Sequence, residues 1–498
     1  MAALLAYLPA AGHDQLWLLY VATHILHGEK LYGPTLLESN PPLIVWLSLL
    51  PAWIAQLLSI ESSTVGKALV LALQAGIASL SLRLLRLQGR VLSPTQRAAL
   101  LFVFLVVFNV LPARDLGQRD YLLALLTLPY VLATASNATR ADLPSTLLAV
   151  LGFALKPQQA LVPLVLETYL LLQTRSLRPL RRAAPWAFLL GAALYFLLIQ
   201  TLTPAYLTHV LPLLRETYWA FGHRTLPQLL LDALELHLLL AAVLLLYVRS
   251  RTRTPQATSL LLASLAATCG YYLQGTGWYY QQLPALTFSS LALAELLLQQ
   301  IPAWQIRTPH WLPRATLALG LLAVALTTHF MGYPFTRERS FAIESPDPSF
   351  FRNLPEGSAV MTVTTTVDDV VMPAERWHLT IAQRYPHYWM LPALLRNEDG
   401  TAPPAHRLTS PQLQQLAATQ RRYFLEDLEH FHPALLLINR CEAPEIHCQV
   451  LEDRHDNLLN WLEQDPAIRA ALTQYEPLGN NGAYAGFRLR PPSALPPR

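Results

Sequence analysis

Runs of about 20 apolar residues, separated by arginines or short polar turns, recur through the first two thirds of the chain and dictate the solvent in which it folds. They fall near residues 65–87, 97–113, 120–135, 185–203, 228–248, 257–273, 283–299 and 311–330. The stretch 143–174 is too long for one crossing and is interrupted by Lys156-Pro157, so it reads as two short helices, 143–156 and 159–174. With 53% hydrophobic and 14% charged residues, the chain is too poor in charge for an ordinary soluble domain. The expected fold is a polytopic α-helical membrane protein of about 11 spans, followed by a small C-terminal α/β domain.

Arginine placement orients the spans. The net charge of +4 would hint at nucleic acid if it were spread over a surface, but the arginines cluster between apolar runs, where they set topology, and nucleic acid is discarded. The clusters Arg83 to Arg97, Arg140, Arg175 to Arg182, Arg251 to Arg253 and Arg307 to Arg314 mark cytoplasmic loops. The loops around 114–120, 156–159, 203–227 and 274–282 then lie outside, with everything after 331. One run does not alternate. Were 43–58 a crossing, the arginine-rich loop at 83–97 would face outward, so 43–58 is expected as a juxtamembrane helix at the outer surface, its Trp46 and Trp53 suited to that depth. Residues 2–12 are apolar but too short to cross. They read as the outer end of a first span, which an upstream in-frame extension would complete.

This gives a transmembrane domain over 1–330, with external loop 1 at 13–42, and an extracytoplasmic α/β domain over 331–498. In the latter, 358–367 and 434–439 read as buried strands, 409–430 and 452–474 as amphipathic helices. Cys441 and Cys448 form a disulfide only if this region meets an oxidising compartment, and Cys269, inside an apolar run, reads as packing.

Ionisable groups gather in the outer loops. The first carries His13, Asp14, Glu29, Lys30 and Glu38, with the polar but neutral Asn40 beside them; the second, "ARDLGQRDYLLALL", has Arg114, Asp115, Arg119 and Asp120; the third centres on Lys156. Lysine occurs only at Lys30, Lys67 and Lys156. A lone cation at a membrane surface is commonly a snorkelling side chain, and an Asp at a helix start is commonly a cap. Carboxylates and cations together at hydrocarbon depth fit sugar transfer from a lipid phosphate. A carboxylate takes the proton of the acceptor hydroxyl while cations stabilise the departing phosphate. Asp14 is the preferred base, with Asp120 as partner or substitute; Arg119 and Lys156 are the better phosphate candidates, and Arg114, Glu38 and Asn40 are further candidates for binding the lipid-phosphate donor. No cofactor is required; a divalent ion held by Asp14, Asp120 or Glu38 stays open, although the sequence has no metal-ligand spacing.

The arrangement "DQLWLLY…ILHGEKLY…ESNPPL" resembles the first external loop of GT-C membrane glycosyltransferases, which include protein O-mannosyltransferases and the lipid A aminoarabinose transferase. The resemblance assigns the catalytic Asp to Asp14 and the start of a juxtamembrane helix to Pro41, Pro42 and Leu43. "LGQRDYLLALLTLPYVL" is similar to the second acidic loop of bacterial members and assigns that role to Asp120. "ALKPQQALVPLVLE" and "YYLQGTGWYYQQLPA" also resemble bacterial members, but this chain lacks the basic residue expected near Thr276 and the histidine expected near Gln281. The resemblance covers residues 10–330. It implies a polyprenyl-phosphate sugar donor, inversion at the anomeric carbon, a lipid, glycan or protein acceptor, and residence in a bacterial inner membrane. Two other classes compete: a multispan transporter or lipid flippase, which predicts polar groups at mid-span, and a non-catalytic envelope-assembly protein, which tolerates loss of Asp14 and Asp120.

Overall fold

The computed structural model describes residues 11–135, 142–221, 224–250, 253–300, 346–440, 456–481 and 483–491. The expected span at 311–330 and the pair Cys441 and Cys448 lie outside the described residues, as does nearly all of the apolar N-terminal run. The chain divides into two compact units: 1–15, 46–201 and 224–339 form the first, and 16–45, 202–223 and 340–498 the second. The segments 16–45 and 202–223 thus group with the C-terminal region. Their polar and aromatic side chains pack there, as Tyr20, Tyr218 and Trp219 illustrate.

In chain order the helices up to residue 300 are α1 (His13–Leu26), α2 (Pro42–Leu58), α3 (Ser62–Leu87), α4 (Pro94–Asn109), α5 (Arg119–Thr134), α6 (Asp142–Leu155), α7 (Leu161–Thr174), α8 (Ala183–Leu202), α9 (Leu211–Thr217), α10 (Leu226–Asp232), α11 (Leu234–Arg249), α12 (Pro255–Gln274) and α13 (Leu283–Gln300). Among the described residues, α3 and α8 are long and apolar enough to cross a bilayer, and α10 with α11 would make a third span if the 75° bend between them is one broken crossing. A straight helix over 228–248 was the expectation; the bend falls at Ala233, which leaves helical geometry. On α8, Leu189, Leu190, Leu194, Phe196 and Leu197 are each more than half exposed. Such a leucine face is stable only when the surrounding medium is itself apolar.

Helix α5 is the axis of the first unit. Every residue from Asp120 to Thr134 except Leu122 is buried, as expected of a helix apolar on nearly all sides. It packs on α3 and α6, where Gly152 leaves no room for a side chain: a Cβ there would stand 2.8 Å from Thr127. Small residues likewise join α12 to α13, with Ser264 Oγ 2.5 Å from Ser289 Oγ. Cys269 on α12 is exposed, contrary to its reading as packing. The break expected at Lys156-Pro157 is present, as a 3₁₀ turn over Pro157–Ala160 between α6 and α7.

The second unit is built on a five-stranded sheet of β1 (Ala359–Val363), β2 (Thr380–Ile381), β3 (Leu435–Asn439), β4 (Tyr475–Asn481) and β5 (Tyr484–Leu489), in the order β2-β1-β3-β5-β4. β1 pairs in parallel with β2 and β3, whereas β5 runs antiparallel to β3 and β4. "LLLIN" is buried along its length, the pattern of a central strand. Helices α14 (Asp368–Arg376), α15 (Leu391–Glu398), α16 (Ser410–Phe431), α17 (Leu458–Glu463) and α18 (Pro466–Leu472) complete it. The single helix expected over 452–474 is two, because Asp465 caps a new helix that starts at Pro466. Residues 16–45 are tied to this sheet: Tyr20 donates to the Ile381 carbonyl at 2.7 Å and the Leu37 N–H to the Arg384 carbonyl at 2.6 Å.

Gly486 of β5 lies under Phe350, whose ring would be 2.3 Å from an added Cβ. Gly486→Ala is expected to cost about 1–3 kcal/mol by overpacking, read as a lower melting temperature. Burial pushes the Asp369 carboxyl up to about 7, opposed by the Tyr484 hydroxyl that donates to it at 2.5 Å. A carboxyl raised in the folded state favours folding while both states are protonated, and that advantage is lost as pH rises from its unfolded value towards about 7. Asp369→Asn should therefore flatten the fall of melting temperature between about pH 4 and 7.

Candidate active site

At the N-terminus of α5 the sequence-derived residues of the first unit meet. Gln118 is the N-cap: its Oε1 accepts the Asp120 N–H at 3.1 Å, and its Nε2 donates to Asp14 Oδ2 at 3.0 Å. One glutamine amide thus closes the helix and holds the Asp14 carboxylate. His13 Nε2 stands 3.3 Å from the other Asp14 oxygen. The approach depends on two glycines. A Cβ on Gly12 would be 2.7 Å from the Arg114 carbonyl, and Gly117, at φ +85°, turns the chain beside Gln15 and Val70. Gln15, whose side-chain amide donates to the Leu116 carbonyl, pins the same turn.

Because Gln118 caps the helix, Asp120 is released from the capping role expected of an Asp at this position. Its carboxylate is wholly buried and accepts from Lys156 Nζ at 2.5 Å through Oδ2, while Oδ1 has no partner among the described residues. Lys156 lies in the break between α6 and α7, where Pro157 directs the chain into the 3₁₀ turn. Its ammonium is 5.3 Å from the centre of the Tyr280 ring, so the fourth loop covers the ion pair with an aromatic face. Tyr279 anchors that loop by donating to the Leu111 carbonyl at 2.7 Å. Thr276 and Gln281, where a base and a histidine were expected, bond one another at 2.6 Å.

Electrostatics separate the charged groups. Burial works against the charge on Asp14, but His13, Arg119 and Gln118 outweigh it and hold the carboxyl well below the usual carboxylate range. Burial lowers the Lys156 ammonium to about 8, with Asp120 opposing and Arg119 adding to the fall. Lys156 therefore titrates near the upper end of the physiological range. Arg119 acts on Asp14, Asp120 and Lys156 alike. Arg114 is in the preceding 3₁₀ turn, Ala113–Asp115.

Glu38 and Asn40 belong to the second unit and are engaged there. Glu38 is fully buried; it accepts from the Trp17 indole and, at 2.6 and 2.7 Å, from the Asn40 N–H and Nδ2. The "ESNPP" turn is thereby braced immediately before α2. Among the described residues no three His, Cys, Asp or Glu side chains are placed to hold a metal ion. Sequence reasoning missed Gln118, Gln15 and Tyr280. Gln118 sits inside the quoted "LGQRD" segment, but a glutamine N-cap has no spacing signature, and Tyr280 reaches Lys156 only through tertiary packing.

Removing one partner of a buried pair leaves an uncompensated charge. Lys156→Met should cost about 3–5 kcal/mol, and Lys156→Met with Asp120→Asn should recover most of it, as measured by thermal unfolding in detergent.

No family model matches the chain, and no curated protein sequence matches it. Among solved structures, the chain is similar to ArnT from Cupriavidus metallidurans, determined bound to undecaprenyl phosphate. The likeness covers 100% of this chain and 97% of that one, at a TM-score of 0.50 and 12% identity. At that identity it is a likeness of fold alone.

Proposed function

We propose that the protein is a glycosyltransferase that moves a sugar from a polyprenyl-phosphate donor to an acceptor hydroxyl at the outer face of a bacterial inner membrane. The observation that carries this reading is the pairing, at one helix N-terminus, of an ionised Asp14 with the Asp120–Lys156 ion pair. The undecaprenyl phosphate in the ArnT structure of similar fold supports a polyprenyl-phosphate ligand. In the proposed reaction the bond from the anomeric carbon to the phosphate oxygen breaks, its electron pair staying on the phosphate, where Lys156, Arg119 and Arg114 stabilise the charge. The acceptor oxygen bonds to the opposite face of that carbon, with inversion, and its proton passes to Asp14. A carboxylate as acidic as Asp14 is a weak base. That suits a loose, oxocarbenium-like transition state in which the acceptor proton becomes acidic only once the leaving bond is largely broken. Asp120 positions Lys156, and Glu38 and Asn40 brace the first loop.

In this reading α2 lies along the outer surface, about 11 spans cross the bilayer and the α/β unit is extracytoplasmic. The broken α10–α11 pair favours a transporter as the second reading, since discontinuous helices commonly form transport sites.

Asp14→Asn and Asp120→Asn are expected to lower transfer from radiolabelled polyprenyl-phosphate sugars by about 100-fold or more, with normal insertion into membranes. Undiminished transfer in both variants would remove the site, and vectorial movement of a lipid without transfer would favour the transporter. Transfer should also fall as pH rises through about 8, where Lys156 loses its proton, and this limb should vanish in Lys156→Arg, which stays charged.

A further inference from the structure

Away from the Asp14 cluster, the first unit contains an apolar cleft among α3, α4, α5, α12 and α13, walled by Leu85, Leu100, Phe104, Leu128, Leu260 and Leu291. Next to it is a hollow of about 280 Å³ lined by Arg86, Arg90 and Arg97 around Gly89. The two adjoin. Leu82 lines both, and Arg90 of the hollow is ion-paired with Glu295 of the cleft.

The charges in this mouth are unequal. Glu295 Oε1, which Arg90 contacts, also accepts from the Thr254 hydroxyl at 2.9 Å and the Gln299 amide at 3.0 Å, so this oxygen is held from three sides and Arg90 is fixed against it. Arg86 and Arg97 have no carboxylate partner among the described residues, which leaves the mouth cationic. Gly89, at φ +76°, ends α3 and adds no side chain to the hollow; a Cβ there would meet nothing within 4 Å. Leu87 and Val91 are 59% and 94% exposed beside these arginines. Apolar side chains so placed suit a headgroup boundary rather than water.

A ligand for this shape needs an anionic head that guanidinium groups can grip and a long apolar tail. We propose that the cleft and its mouth bind an anionic membrane phospholipid, the phosphate lying among Arg86, Arg90 and Arg97 and one acyl chain in the leucine-walled cleft. The site shares no residue with the Asp14 and Lys156 cluster and does not depend on the transferase reading. By the arginine pattern it lies at the cytoplasmic surface, where basic pockets between helices meet anionic headgroups.

The test uses the full chain in detergent, mixed with phosphatidylglycerol or phosphatidylcholine of the same acyl length and followed by native mass spectrometry. Wild type should retain phosphatidylglycerol with about a tenfold preference or more, and Arg86→Gln with Arg97→Gln should abolish the preference, leaving Arg90 and its ion pair intact. A diazirine-tailed phosphatidylglycerol on wild type, which needs no variant, should label peptides containing Leu82, Leu100 or Phe104. Equal retention of the two lipids, labelling elsewhere, or an unchanged preference in the double variant would overturn the proposal. So would displacement of the label by equimolar undecaprenyl phosphate, which would assign the cleft to a polyprenyl carrier.

Discussion

The buried contact between Lys156 and Asp120 sets the terms for the first unit. Two charges taken out of water persist only if they meet, and their meeting requires that the α6–α7 hairpin break at one point and that α5 begin at one residue. Pro157 imposes the first condition and Gln118 the second. The same glutamine then reaches Asp14, so the placement of the candidate base depends on the helix cap that frees Asp120. A single amide couples two acidic groups that sequence patterning treats as separate.

This coupling explains why the two acids differ chemically. Asp14 keeps about a quarter of its side chain exposed and is held by a histidine and an amide, so it remains ionised and open to solvent. Asp120 is sealed and devoted to one lysine, and with Tyr280 it shapes the state of that cation. The division resembles that of other two-carboxylate sites, where environment rather than residue type decides which group reacts and which one positions.

Legibility from sequence varied with how local the physics was. The Lys156-Pro157 break, the strands of "SAVMTVTTTV" and "ALLLIN", and helix α16 were all legible, because proline geometry and apolar periodicity act within a few residues. The bend at Ala233 and the division at Asp465-Pro466 were not, since apolar periodicity continues through both. Asp14, Asp120 and Lys156 were found because charge at hydrocarbon depth is conspicuous. Gln118 and Tyr280 carry no such mark, and the mutual bonding of Glu38, Asn40 and Trp17 needed a turn whose geometry sequence does not specify.

Composition and apolar run length by themselves determined that this chain folds with a bilayer as solvent, since no other medium accommodates so many leucine-rich helices with so few charges. Sequence also determined which ionisable groups were costly enough to need a purpose. Tertiary structure decided which of them meet: burial makes an ion pair of two residues 36 positions apart, a helix cap links Asp14 to them, and the segments 16–45 and 202–223 group with the C-terminal region. Those outcomes depend on distances across the fold, which one-dimensional patterning does not contain.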